Sequence, residues 1–128
     1  MDVVLRFALK QSAGIWLQEA ERVLDLFSIQ TGFQSAKAYL AVDDDAIGLL
    51  YLQFDSVGNY RRALSAYDIK VSATQFLSGS IDEPSAFEVL LTYVDGKKVH
   101  YQSEKTASSE EIALGDSATA RAQSRLEP

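Results

Sequence analysis

Apolar residues recur at every second position near the start of the chain. Val3, Leu5, Phe7 and Leu9 share one side of an extended segment, and Val4, Arg6, Ala8 and Lys10 share the other. Residues 3–10 therefore read as a strand with one apolar and one mixed face. The period then lengthens. Ile15, Trp16, Ala20, Val23, Leu24 and Phe27 fall at helical spacing, with Gln18, Glu19, Glu21, Arg22 and Asp25 on the wet side. Ser12 stands where an N-cap belongs, so the pattern predicts a helix to about Ser28. Gly32, in Thr31-Gly32-Phe33, suits the left-handed residue that ends a helix. Period two returns in Gln34–Asp55, which reads as a hairpin with an acidic tip at Asp43-Asp44-Asp45. Ser56 opens a second helix, striped by Val57, Tyr60, Leu64, Tyr67 and Val71. Near Asp68 the register changes to Ile69, Ala73, Phe76, Leu77 and Ser80, which predicts a bend. Asp82-Glu83-Pro84-Ser85 is a stop. Residues 86–94 read as another strand, turned at Asp95-Gly96 into a short edge strand over 97–102 that Lys97 and Lys98 blunt.

Two of these strands are apolar on both faces. In Ile47–Phe54, the set Ile47, Leu49 and Tyr51 opposes Leu50, Leu52 and Phe54; in 86–94, Phe87, Val89, Leu91 and Tyr93 oppose Leu90, Thr92 and Val94. A strand with one wet face would alternate apolar and polar. The order of elements predicts an α+β fold: a ferredoxin-like βαββαβ unit with an antiparallel sheet, an extra C-terminal edge strand and a flexible tail. Right-handed crossovers put both helices on one face. The other face then needs a cover, and a homodimer through the helix-free sheet face supplies one. Leu52→Asp is the substitution this reading aims at that interface.

Composition adds limits. The chain has 128 residues, read as one domain over 1–102 and a mobile acidic, Ala- and Ser-rich tail over 103–128. The alternative is an arm whose Ile112 and Leu114 dock on a partner subunit. A net charge of −6 argues against nucleic acid and anionic membrane surfaces. There is no cysteine, hence no disulfide or thiolate metal site. The first ten residues carry Asp2 and Arg6 within their apolar run, unlike a signal peptide, and no run approaches the ~18 apolar residues of a membrane span. A cytoplasmic location is expected. The acidic tip invites a calcium reading. Counting from Asp43, Gly48 fits the sixth position, but Phe54 stands where the twelfth-position glutamate belongs, so a solvated turn is expected and no metal.

The run TGFQSAKAYLAVDDDAIGLLYLQFDSVGNYRRAL resembles the dimeric α/β-barrel superfamily, and within it the antibiotic biosynthesis monooxygenase-like domains. The matching features are the helix-ending Gly32-Phe33 and a hairpin strand closing in Gln53-Phe54-Asp55-Ser56 before a capped helix. The resemblance spans roughly residues 3–94 and rests on order and spacing. It implies a pocket between sheet and helices in each subunit. The group includes cofactor-independent oxygenases of aromatic polyketides, haem-degrading enzymes, quinol oxygenases and muconolactone-type isomerases. Two departures weaken haem and histidine chemistry. Gln53-Phe54 replaces the common Glu-Trp pair, and residues 57–81 hold no histidine, the only one being His100.

The resemblance implies a monooxygenase or isomerase, without a bound cofactor, acting on a small aromatic or enolisable substrate. Such chemistry needs a flat apolar pocket and polar groups facing a developing enolate or phenolate. Trp16, Tyr39, Tyr51, Asn59, Tyr60, Arg61 and Tyr67 are the substrate-binding candidates, with no assigned catalytic residue. Arg6 and His100 are further polar candidates. The alternative is a non-catalytic dimeric module of the same fold that binds a ligand or a protein.

Overall fold

The computed structural model describes residues 1–103, so the predicted tail lies outside the described residues except for Ser103. These residues fall into two compact units, Met1–Phe87 and a second one that begins at Glu88.

The first unit runs β1 (Asp2–Ala8), α1 (Ala13–Ser28), β2 (Phe33–Ala41), β3 (Asp44–Phe54), α2 (Val57–Ser65), α3 (Tyr67–Ser72), α4 (Thr74–Leu77) and β4 (Ala86–Phe87). The sheet order is β2-β3-β1-β4, all antiparallel, which is the ferredoxin-like arrangement. Pairing fixes the faces. Val3 lies opposite Leu52, Leu5 opposite Leu50 and Phe7 opposite Gly48. These side chains point under the helices, where Trp16, Ala20, Val23 and Phe27 of α1 meet them, joined by Ala63, Ile69 and Ala73. Each large side chain buried this way contributes about 1.5–3 kcal/mol. Val4, Arg6, Ile47, Leu49, Tyr51 and Gln53 alternate with them onto the helix-free face.

Local chemistry explains the boundaries. Ser12 Oγ accepts from the Ile15 amide at 3.3 Å and Ser56 Oγ from the Asn59 amide at 3.1 Å, so both main helices start at a side-chain cap. Between α1 and β2, Gly32 takes φ +86°. A Cβ there would sit 2.5 Å from Asp55 Oδ1 and 2.7 Å from the Asn59 Cβ, so the turn needs both the backbone freedom and the space of glycine.

The structure corrects several expectations. Leu52 is 1% exposed and faces the helices, so Leu52→Asp does not address the opposite face; Leu49 and Tyr51 do. Ile15 is half exposed, since α1 turns Trp16 inward instead. The second helix breaks at Ala66, which is extended (φ −65°, ψ 144°), two residues before the expected bend. The break rotates the next helical segment, so Ile69 and Ala73 face the core while Tyr67 and Val71 stand in solvent at 82% and 64% exposure. The strand expected over 86–94 is divided. Only Ala86–Phe87 pairs with β1; β5 (Leu91–Val94) forms a separate antiparallel pair with β6 (Lys97–His100). The expected edge strand is therefore the second strand of that ribbon.

In the second unit, Asp95 (φ 52°) and Gly96 (φ 75°) make the left-handed turn of the ribbon, the geometry a two-residue hairpin demands. Ser103 donates to the Glu88 carboxylate. Among the described residues no helix is long and apolar enough to cross a membrane, and no cluster of three potential metal ligands occurs. Two substitutions test this packing by urea unfolding. Gly32→Ala should destabilise by about 1–3 kcal/mol, because it adds strain at a positive φ to a steric clash. Leu52→Asp should cost several kcal/mol and prevent folding, because it places a carboxylate in the core.

Candidate functional site

The predicted site residues do not converge. They separate into three regions of the first unit.

The first region lies beneath the helices, at the end of the core where Gly48 pairs with Phe7. Trp16 is 5% exposed and belongs to an aromatic cluster. Its ring lies 5.6 Å from Phe7 and 6.5 Å from Phe76, and Phe7 and Phe76 are 4.9 Å apart. The indole Nε1–H is buried and has no hydrogen-bond partner among the described residues. Leaving such a donor unpaired costs about 1–3 kcal/mol. A buried tryptophan usually directs its N–H to an acceptor, so this donor is an exception within an apolar wall. Tyr60 is also beneath the helices, but at the far end of the strand. Its ring packs on Phe54 at 5.5 Å, and Phe27 and Phe33 close around Phe54 at 6.3 and 5.8 Å. Gly48 and Phe54 are six residues apart, about 20 Å along an extended strand. Trp16 and Tyr60 therefore serve different ends of one core. Burial pushes the Tyr60 phenol above its ordinary value.

The second region is the helix-free face. Tyr51 is half-buried there and Tyr39 is 44% exposed. The Tyr51 phenol is also pushed up, first by burial, then by the charge of Asp2 and a hydrogen bond with it, then by Tyr39. One Asp2 oxygen, Oδ1, is buried without a donor among the described residues. Ser35 donates to Gln53 on the same face at 3.0 Å. Arg6 makes a two-pronged pair with Glu83 at 2.9 and 3.1 Å, and that hydrogen bond holds the Glu83 carboxyl below its ordinary value. Arg6 is thus committed to a surface loop and does not point beneath the helices.

The third region is the outer surface of the helices. Asn59 accepts from Arg62 at 2.7 Å and donates to Asp55 at 2.8 Å, bracing the turn beside Gly32. Arg61 and Tyr67 are exposed. His100 belongs to the ribbon and is also exposed.

Sequence reading identified Trp16 but passed over what surrounds it. Phe7 and Phe76 were legible only as core. Gly48 carried a usable signal, since an isolated glycine within a strand marks a close approach by another group.

With fold and geometry in view, comparison with solved structures finds neighbours of the same fold. The fold is shared with SnoaB and with a candidate antibiotic biosynthesis monooxygenase. SnoaB, a cofactor-independent oxygenase from Streptomyces nogalater, is similar with a TM-score of 0.57 and 22% identity, over 70% of this chain and 94% of its own. A candidate antibiotic biosynthesis monooxygenase from Nitrosomonas europaea matches with a TM-score of 0.52 and 12% identity, over 81% of this chain and 99% of its own. A conserved protein from Methanosarcina mazei Go1 matches with a TM-score of 0.54 and 13% identity, over 66% and 84%. At these identities the likeness is one of fold. No protein-family model matches the chain, and no curated protein does.

The two raised phenols make a pH prediction. Tyr51 and Tyr60 stay neutral to higher pH in the folded protein than in the unfolded chain. Their contribution is complete below the ordinary tyrosine value of 10.0 and is lost as pH climbs through the raised folded values. Stability in urea should therefore fall on the alkaline side of that value, and Tyr60→Phe should remove part of the fall. Tyrosinate absorbance of the folded protein should show the same two groups ionising late.

Proposed function

We propose that this chain binds a flat, apolar, enolisable aromatic molecule beneath the helices at Trp16, and that it acts there as a cofactor-independent oxygenase. The observation that carries the reading is the buried indole N–H with no partner inside an aromatic wall. The fold shared with SnoaB, a cofactor-independent oxygenase, supports the reaction class. In this scheme a ring methylene of the substrate loses a proton to water, because Phe7, Gly48 and Phe76 offer no base. The resulting enolate oxygen accepts the indole hydrogen bond, and a charged acceptor makes such a bond worth about 1.5–3 kcal/mol. Dioxygen then takes four electrons from that carbon. One oxygen atom becomes the new carbonyl and the other leaves as water, so no external reductant is required.

The proposed assembly is a cytoplasmic homodimer through the helix-free face. Val4, Ile47, Leu49 and Tyr51 are apolar there, and Phe87 joins them at 47% exposure. A second copy covers such a face with self-complementary packing.

A second reading, the non-catalytic module, is favoured by the closeness of the rings themselves. Phe7, Trp16 and Phe76 already touch one another, so a ligand must displace Phe76 or its helix. Trp16 is the sole tryptophan, and its fluorescence separates the two readings. Titration with anthrone should quench it saturably, and an oxygen electrode should record uptake of one dioxygen per anthrone consumed. Trp16→Phe should lower the rate about tenfold or more, the loss of one hydrogen bond to a charged oxygen. Quenching without oxygen uptake would establish the binding module instead. Light scattering should give a dimer mass for the native chain and a monomer mass for Leu49→Asp, with the circular dichroism of the fold retained.

A further inference from the structure

Gly48 lies inside the sheet, opposite Phe7 on one side and Leu40 on the other. Its backbone does not require glycine. The positive-φ glycines among the described residues are Gly32 and Gly96. A glycine inside a strand weakens it, having no side chain to pack and more freedom to lose. What Gly48 supplies is room. A Cβ on it would lie 2.9 Å from Cη2, 3.0 Å from Cζ2 and 3.1 Å from Cζ3 of Trp16. Those three atoms form the outer edge of the six-membered ring, which rests directly on the strand. The indole is rigid and is flanked by Phe7 and Phe76, so an added methyl cannot be absorbed by a flexible tip.

We infer that Gly48 is a positioning residue: it seats the benzo edge of Trp16 on the sheet and thereby sets where the indole N–H meets an acceptor oxygen of the ligand. This rests on the reading of Trp16 as the ligand's donor. A hydrogen bond weakens steeply with misalignment, so moving the ring by the few tenths of an ångström that a methyl demands alters the bond more than it alters the packing. The site then selects ligands whose oxygen lies at one fixed offset from the plane of their rings.

The test compares Gly48→Ala with Val23→Ala, a core truncation in α1 that is not part of the aromatic cluster. Indole emission and near-ultraviolet circular dichroism are recorded without ligand. Anthrone affinity is taken from the concentration-dependent rise of the thermal midpoint. Gly48→Ala should shift the indole spectra and weaken anthrone binding about tenfold. Val23→Ala should lower the midpoint but leave both the spectra and the affinity as in the native protein. Adding Trp16→Phe to Gly48→Ala should recover thermal stability, because the smaller ring clears the methyl, without recovering affinity. If Gly48→Ala alone does not fold, rescue of folding by that second change identifies the seat. Unchanged spectra in Gly48→Ala, or shifted spectra with native affinity, would overturn the inference. A native protein that binds no anthrone would overturn the ligand reading instead, and the donor role with it; spectra and rescue would still decide whether Gly48 seats the ring.

Discussion

The direction in which the side chains of β3 point governs the whole Met1–Phe87 unit. Its pairing with β1 sends Leu50, Leu52 and Phe54 beneath the helices and leaves Leu49, Tyr51 and Gln53 on the other side. A slip of one residue would exchange the two sets. The register is defended at both ends. Phe54 is locked among Phe27, Phe33 and Tyr60, and Gly48 is locked under Trp16. Between those ends the strand carries no charge to exploit, so shape decides the register. The buried indole and the open apolar face are both products of this one alignment.

Much of this was legible in the sequence because short-range periodicity carries it. The strand at Val3, the capped helix from Ser12, the left-handed Gly32 and the hairpin before Ser56 each have a local physical signature, and each appears where expected. What local pattern could not convey was the direction of β3 relative to the helices. Gln53 at its end is the one polar residue on the outer face of Ile47–Phe54, too little to tell Leu52 from Leu49 by local pattern. The second helix failed for a related reason. Tyr67 and Val71 continue a plausible stripe, but the extended backbone at Ala66 resets the phase, and alanine gives no warning of it. The run over 86–94 is apolar on both faces apart from Glu88 and Thr92, and its length in the sequence hid the point where pairing with β1 stops.

The site shows the same division. Trp16 could be picked out as a large amphipathic ring near a helix start. Tyr39, Tyr51, Asn59, Arg61 and Tyr67 were chosen by chemistry alone, and chemistry does not specify a face. The fold put the tyrosines of β2 and β3 on the side opposite Trp16 and set Asn59 to work in a turn. The residues placed against the indole, Phe7, Gly48 and Phe76, carry no titratable side chain, so in the proposed reaction the acidity comes from the substrate. That requirement favours molecules whose carbon acids are already activated by conjugation, and it disfavours reactions that need a strong enzymic base.

The break at Ala66 also bears on access. The chain after β3 forms three short helices of nine, six and four residues, and the last two begin without a side-chain cap. Short uncapped helices depend on tertiary packing more than on their own hydrogen bonds. A continuous rod would have to lift as one body to uncover the indole. Linked segments open one at a time, and α4, which carries Phe76 and has no buried residue of its own, is the weakest link. The helix that lays Phe76 against the indole is thus also the part of the layer that can yield while the sheet stays intact.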